Sequence, residues 1–254
     1  MRNLKSDPRP HGVQSIARAA AVLRALERSP EGVGITELAA TTELPKSTVH
    51  RLVTALVEEE LLARGADGLV RLGPAISRLG SAAHEGLAGR LRPLLLGLRR
   101  ELDETVDLSV LDGSAARFID QVPAPHRLRA TSSVGELFPL HCTANGKALL
   151  AALPVEVAET LLPPRLAQLT PKTIASKPAL FRELEQVRKT GLAFDREEHT
   201  LGICAVGIAV TAGEEPAAAI SVPVPAQRFA AVEDAVVAAL TRAARQKTRS
   251  ASTT

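Results

Sequence analysis

From Val13 onward apolar residues recur at helical spacing: Ile16, Ala19, Ala20, Leu23 and Leu26, with Arg18, Arg24 and Arg28 between them. Pro30, Gly32 and Gly34 end this first helix. A short second helix is expected next, with Thr36 as N-cap and Glu37 in the first turn, where a carboxylate meets the positive end of the helix dipole. A third helix opens at Pro45, whose missing N–H costs nothing in a first turn. Val49, Leu52, Val53 and Leu56 form its buried stripe, and Ser47, His50, Arg51 and Thr54 lie on the opposite face. Two short strands, 61–64 and 69–72, flank Gly65-Ala66-Asp67-Gly68, which has the chemistry of a hairpin turn. Gly73-Pro74 closes the unit.

Beyond it, a helical segment at 75–85 presents Ile76, Leu79 and Ala83 as one apolar stripe with no partner inside its own domain, the pattern of a helix that pairs with its own copy. Gly86-Leu87-Ala88-Gly89 separates it from a longer helix at 91–103. Val106, Leu108 and Val110 then alternate with Asp107 and Ser109, as in a half-buried strand. Further strands are expected at 115–122, 127–132 and 137–140, helices at 144–152 and 178–189, and doubly buried strands at 203–211 and 217–222. A last helix covers 229–246. Strands interrupted by helices point to an α+β fold with a mostly antiparallel sheet.

Three helices and a hairpin within about 60 residues make a winged helix-turn-helix. Lys46, Ser47, Thr48, His50 and Arg51 can all donate hydrogen bonds near the N-terminus of the third helix, where base edges are met, and Thr54 continues the same face. Glu58, Glu59 and Glu60 fall at the far end. Arg64 and Arg71 flank the wing turn and suit phosphate or minor-groove contacts.

Composition narrows the choice of function. The 254 residues carry 31 basic and 28 acidic side chains, a formal charge of +3, so the chain has no polycationic tail. With five Phe and neither Trp nor Tyr, a pocket of stacked rings is not expected, and its walls should be Leu, Ile, Val and Ala. Two cysteines exclude a disulfide scaffold. No apolar run reaches the roughly 18 residues of a membrane helix, and no signal peptide is visible, so a cytoplasmic protein without membrane contact is expected.

One local signal points to a ligand. Thr143 can cap the helix opening at Ala144-Asn145-Gly146-Lys147, whose free N–H groups suit a carboxylate, with Gly146 permitting close backbone approach. Cys142 and Cys204, with His141 and His199 nearby in sequence, invite a rival reading as a cysteine-dependent hydrolase or other small-molecule enzyme. Nothing in the spacing fixes thiolate, base and orienting group together. Asp195, Glu198 and His199, with His141 or Cys142, match no strong metal pattern. Neither a phosphate loop nor a dinucleotide motif is present, and no catalytic residue, metal or cofactor is expected.

The motifs V-Q-S-I-A-R-A at 13–19, I-T-E-L-A at 35–39, L-P-K-S-T-V-H-R-L at 44–52 and R-L-G-P at 71–74 stand in order. V-G-E-L-F-P-L-H-C-T-A-N-G-K-A-L-L-A at 134–151, D-R-E-E-H-T-L-G-I-C-A-V at 195–206 and A-A-I-S-V-P at 218–223 follow. Together they resemble the IclR family of bacterial transcriptional regulators, over about residues 11–245. The resemblance implies a loose tail at 1–12, a DNA-binding winged helix at 13–74, a dimerising linker helix at 75–90, a GAF-like effector-binding domain at 91–247 and a second tail at 248–254. It implies a sequence-specific repressor or activator of a catabolic operon. Such a regulator binds double-stranded operator DNA as a homodimer, which in the family often pairs into tetramers, and answers to a small organic acid. Family pocket positions fall on Ala144, Asn145, Asp195, Ala205, Ser221 and Pro223. Ala205 and Pro223 stand where some members carry Cys and a second Ser, so the ligand of those members does not transfer. Asp195 beside an anion suggests a ligand with both an acid and a hydroxyl or amine.

Overall fold

The computed structural model describes residues 11–27, 29, 31–130, 132–210 and 218–250. Residues 1–10 and 251–254 of the two expected tails lie outside the described residues. The chain divides into two compact units, Met1–Ala83 and His84–Thr254.

The first unit contains α1 (His11–Glu27), α2 (Ile35–Thr42), α3 (Lys46–Glu58) and the hairpin β1 (Leu62–Arg64) and β2 (Val70–Leu72). Leu62 lies opposite Leu72, and Val33 bridges to Val70, tying the α1–α2 connection to the wing. Its core is Val22, Leu26, Val33, Leu38, Val49, Val53, Leu56, Leu62 and Val70. Of the stripe read on α3, Val49, Val53 and Leu56 are buried and Leu52 is half-buried against them. In α1, however, Val22 and Leu26 carry the burial, while Ile16, a turn before Ala19, is 72% exposed. The cap of α2 also differs from expectation. It is Gly34, extended at φ −72° and ψ 150°, and Thr36 lies inside the helix.

Residues 75–85 and 91–103 do not form separate helices. One helix, α4 (Pro74–Leu102), runs through Gly86 and Gly89 and through Pro93. Each glycine costs about 1 kcal/mol of helix propensity. Leu87, Leu91, Leu95 and Leu98, spaced 4, 4 and 3, are buried in one core, and each contributes roughly 1.5–3 kcal/mol. Burial outweighs propensity.

The second unit adds β3 (Val106–Asp112), β4 (Ala115–Val122), β5 (Leu137–Pro139), α5 (Ala144–Ala151), α6 (Val155–Thr160), α7 (Lys177–Thr190), β6 (Ala193–Arg196), β7 (Ile203–Val210), β8 (Ala218–Pro225) and α8 (Ala226–Ser250). Residues 248–250 of the expected tail thus belong to α8. The six strands form one antiparallel sheet in the order β5-β4-β3-β8-β7-β6. Residues 127–130 alternate in polarity but form no strand. The carbonyl of Ala130 accepts from Thr105 Oγ1 at 3.0 Å instead of joining a ladder. α6 and β6 were not anticipated.

Strand alternation sorts the sheet into two faces. Val106, Leu108, Val206, Ile208, Ile220 and Val222 meet Leu91 and Leu95 of α4 and Val236 and Leu240 of α8. Ala193 and Ala219 face the other way, into a core with Leu149 and Leu150 of α5, Ala158 of α6 and Leu180 and Leu184 of α7. On this second face Asp107, Ser221 and Gly207 stand in register across β3, β8 and β7, and Asp195, Ala205 and Pro223 across β6, β7 and β8.

Candidate functional site

α5 is seated directly on the sheet because β7 offers no side chain at Gly207. A Cβ there would come within 2.9 Å of the carbonyl carbon and oxygen of Ala144. Thr143 starts the helix as its sequence suggests: its Oγ1 accepts from the Gly146 amide at 3.2 Å and donates to the Pro139 carbonyl at 2.9 Å. Lys147 N–H closes the first helical bond on the Thr143 carbonyl. Among the described residues the amides of Ala144 and Asn145 meet no acceptor. Two free donors and the positive end of the helix dipole therefore stand at this point.

That helix end borders a cavity of about 290 Å³, at the small end of ligand pockets. Ala144, Asn145, Asp195, Ala205, Ser221 and Pro223 all line it. Gly146 does not. A Cβ on it would lie 2.6 Å from Leu140 Cα and O, so this glycine admits the Leu140 backbone and not a ligand.

The polar groups are buried but only partly satisfied. Asn145 Nδ2 donates to Ser109 Oγ on β3 at 3.0 Å. Asp195 Oδ1 accepts from the Glu198 and His199 amides at 2.7 and 3.4 Å. Among the described residues Asp195 Oδ2 and Ser221 Oγ make no hydrogen bond, and both residues line the cavity. Burial pushes the Asp195 carboxyl up to about 7, against the two amides that favour its charge, and the nearby Glu198 charge adds to the rise. Near neutral pH the group can therefore serve as donor or acceptor.

The loop after Asp195 is fastened from behind. Lys147, fully buried on α5, donates to Glu198 Oε1 at 2.7 Å and to Glu183 Oε1 at 3.3 Å. Thr173 and Thr170 donate to the Glu198 carbonyl at 2.6 and 3.3 Å.

The remaining wall was missed in the sequence. Phe118, Phe138 and His199 line the cavity, together with Arg129, Ser132, Thr200 and Ile203. Phe138 lies stacked on His199, ring centroids 4.2 Å apart, and edge-on to Phe118 at 4.9 Å. The expectation of purely aliphatic walls is therefore corrected: a low overall aromatic content said nothing about where the few rings would gather.

The thiols are poor nucleophiles. Burial, with the nearby carboxylates, pushes Cys142 up to about 12 and raises Cys204 as well. His141 Nε2 lies 2.8 Å from the Ala167 carbonyl oxygen and is committed there.

In the first unit α3 presents a second candidate surface. Lys46, Ser47, His50, Arg51 and Thr54 are exposed and Thr48 is half-buried. Thr54 Oγ1 donates to the His50 carbonyl at 3.0 Å. Among the described residues Lys46, Arg51 and Arg64 form no ion pair. Arg71 differs: its guanidinium grips both oxygens of Asp67 in the wing turn at 3.1 and 2.6 Å. This pairing holds the Asp67 carboxyl down at about 2.

Comparison with known proteins addresses both units. A model of the IclR helix-turn-helix domain matches residues 15–66, and a model of the bacterial transcriptional regulator IclR C-terminal domain matches residues 80–249. The chain is 51% identical to the HTH-type transcriptional regulator Rv1719 of Mycobacterium tuberculosis, over 93% of this chain and 92% of that protein. It is 36% identical to the transcriptional repressor IclR of Escherichia coli, over 85% and 82%. Among solved structures, an IclR homolog from Microbacterium hydrocarbonoxydans complexed with 4-hydroxybenzoate superposes with a TM-score of 0.61 and 26% identity, covering 94% of this chain and all of that one.

Proposed function

Because this chain belongs to the IclR family of bacterial transcriptional regulators, with a DNA-binding helix-turn-helix and a C-terminal effector-binding domain, we propose specific roles for its two candidate sites. It is a regulator and not an enzyme. α3 enters the major groove, where Ser47, Thr48, His50, Arg51 and Thr54 meet bases and phosphates and Lys46 adds charge. Arg64 contacts the backbone from the wing, and Arg71 first shapes the wing turn through Asp67 and then faces phosphate.

The effector is a small organic acid held in the cavity of the second unit. Its carboxylate sits against the Ala144 and Asn145 amides, and its other polar end meets Asp195 and Ser221, with Ala205 and Pro223 as floor. The observation that carries this reading is the set of unpaired polar groups around one cavity: two helix-end amides, a carboxyl oxygen and a hydroxyl. These groups face the cavity with their hydrogen-bonding capacity unspent, so a ligand carrying matching groups can bond all of them at once in place of water. 4-Hydroxybenzoate, the ligand in the homolog from Microbacterium hydrocarbonoxydans, carries an acid and a hydroxyl on one small molecule.

The protein acts in the cytoplasm on a catabolic operon, as a homodimer on a near-palindromic operator, with pairing of dimers through the second unit. Among the described residues no helix is long and apolar enough to cross a membrane. Footprinting on DNA flanking the gene tests this function. Two protected half-sites about one helical turn or a multiple apart, lost in Arg51→Ala, support it. Protection that Arg51→Ala leaves unchanged refutes the assignment of α3.

A further inference from the structure

We propose, resting on the reading of the cavity as an acid site, that Phe138 and His199 form a ring clasp that selects a flat aromatic carboxylate over a saturated acid of equal size. The chain has only five Phe and neither Trp nor Tyr, yet two of the five line this one cavity and a histidine joins them. Phe138 and His199 lie nearly parallel, 22° apart, while Phe118 stands at 79° to Phe138. The stack covers one face of each of these two rings, and all three rings line the cavity, where another aromatic ring can pack offset-stacked or edge-on. Cyclohexane carbons, with hydrogens above and below the mean plane, cannot make either contact at the same distance.

The position of the clasp gives it leverage. Phe138 is on β5, at one edge of the sheet, and His199 follows β6, at the opposite edge. Their stack thus closes the curled sheet across the cavity. Asp195, four residues before His199, accepts from the His199 amide at 3.4 Å, which sets the residue that carries the ring beside the polar end of the site. Burial lowers the His199 pKa, which keeps the imidazole neutral and its face available for stacking.

Isothermal titration of the full chain with benzoate and with cyclohexanecarboxylate tests the clasp. Wild type is expected to bind benzoate about two- to twelvefold more tightly, the range of an aromatic pair beyond its area. Phe138→Leu and His199→Leu each keep apolar bulk. Both should bring the ratio close to one by weakening benzoate, with cyclohexanecarboxylate changed less than about twofold. Phe138 and His199 are both half-buried and lie on separate segments, so each variant reports on the clasp independently of the other. Equal affinities in wild type, or a preference kept in the folded variants, would overturn the clasp alone. Binding of neither acid to wild type would overturn the acid-site reading, and the clasp with it.

Discussion

Asp195 concentrates what is unusual about this molecule at the level of single residues. Its folded pKa, raised by burial to about 7, lies above the ordinary value of 3.8. Between those values the unfolded chain has released a proton that the folded chain keeps, so stability falls as pH rises from about 4 to about 7 and levels off above. Asp195→Asn removes that slope. Unfolding free energies of wild type and variant, compared across pH 4–8, should converge at the acid end, with wild type losing ground toward neutrality by an amount on the order of a few kcal/mol. Parallel profiles would mean that the carboxyl is ionised throughout. The same residue shows where sequence reading stopped. Ala193-Phe194-Asp195-Arg196 is a strand with a carboxylate on its buried side, and that inward acid broke the alternation by which strands are recognised. The family motif supplied Asp195, but polarity alone did not.

At the level of elements, legibility followed periodicity. α3, α7 and the two central strands were readable because single-face or two-face burial leaves a regular pattern. α4 was misdivided because its glycines are tolerated only through leucine contacts made far away in sequence. The helix end at Thr143 was readable from local capping chemistry, whereas the Phe138–His199 stack joins opposite sheet edges and leaves no local trace. Two predictions belong here. Gly207→Val drives a side chain into the Ala144 carbonyl, and overpacking of this kind costs about 1–3 kcal/mol. Thermal unfolding should register that loss, and an unchanged midpoint would show that α5 is not seated as described. In the first unit Arg51→Ala should weaken operator binding by about 1–3 kcal/mol if the guanidinium reads a base, and Arg64→Ala should weaken binding to all sequences alike and reduce its salt slope. Filter binding across several salt concentrations separates the two behaviours.

For the whole molecule the open quantity is the assembly that reads DNA. Leu79 on α4 is 62% exposed in the single chain, on the stripe that the pattern reserves for a second copy. Leu79→Asp should lower both dimer content in sedimentation and affinity for a two-half-site operator. A monomer that still binds the full operator tightly contradicts this. The winged helix and the effector domain were legible as units because each carries its own core and its own motif. The proposed regulator works only if an acid in the second unit controls DNA binding by the first. The direct measurement is operator affinity of the full-length protein with and without organic acids, from acetate to 4-hydroxybenzoate, in wild type, Asn145→Ala and Asp195→Ala. The expected result is an acid that changes wild-type affinity by roughly 5- to 150-fold, the span of coupling energies of 1–3 kcal/mol, with the change lost or strongly reduced in both variants and acid-free affinity nearly unaltered. An acid response of equal size, at equal acid concentration, in all three proteins would place the effector elsewhere and contradict the account.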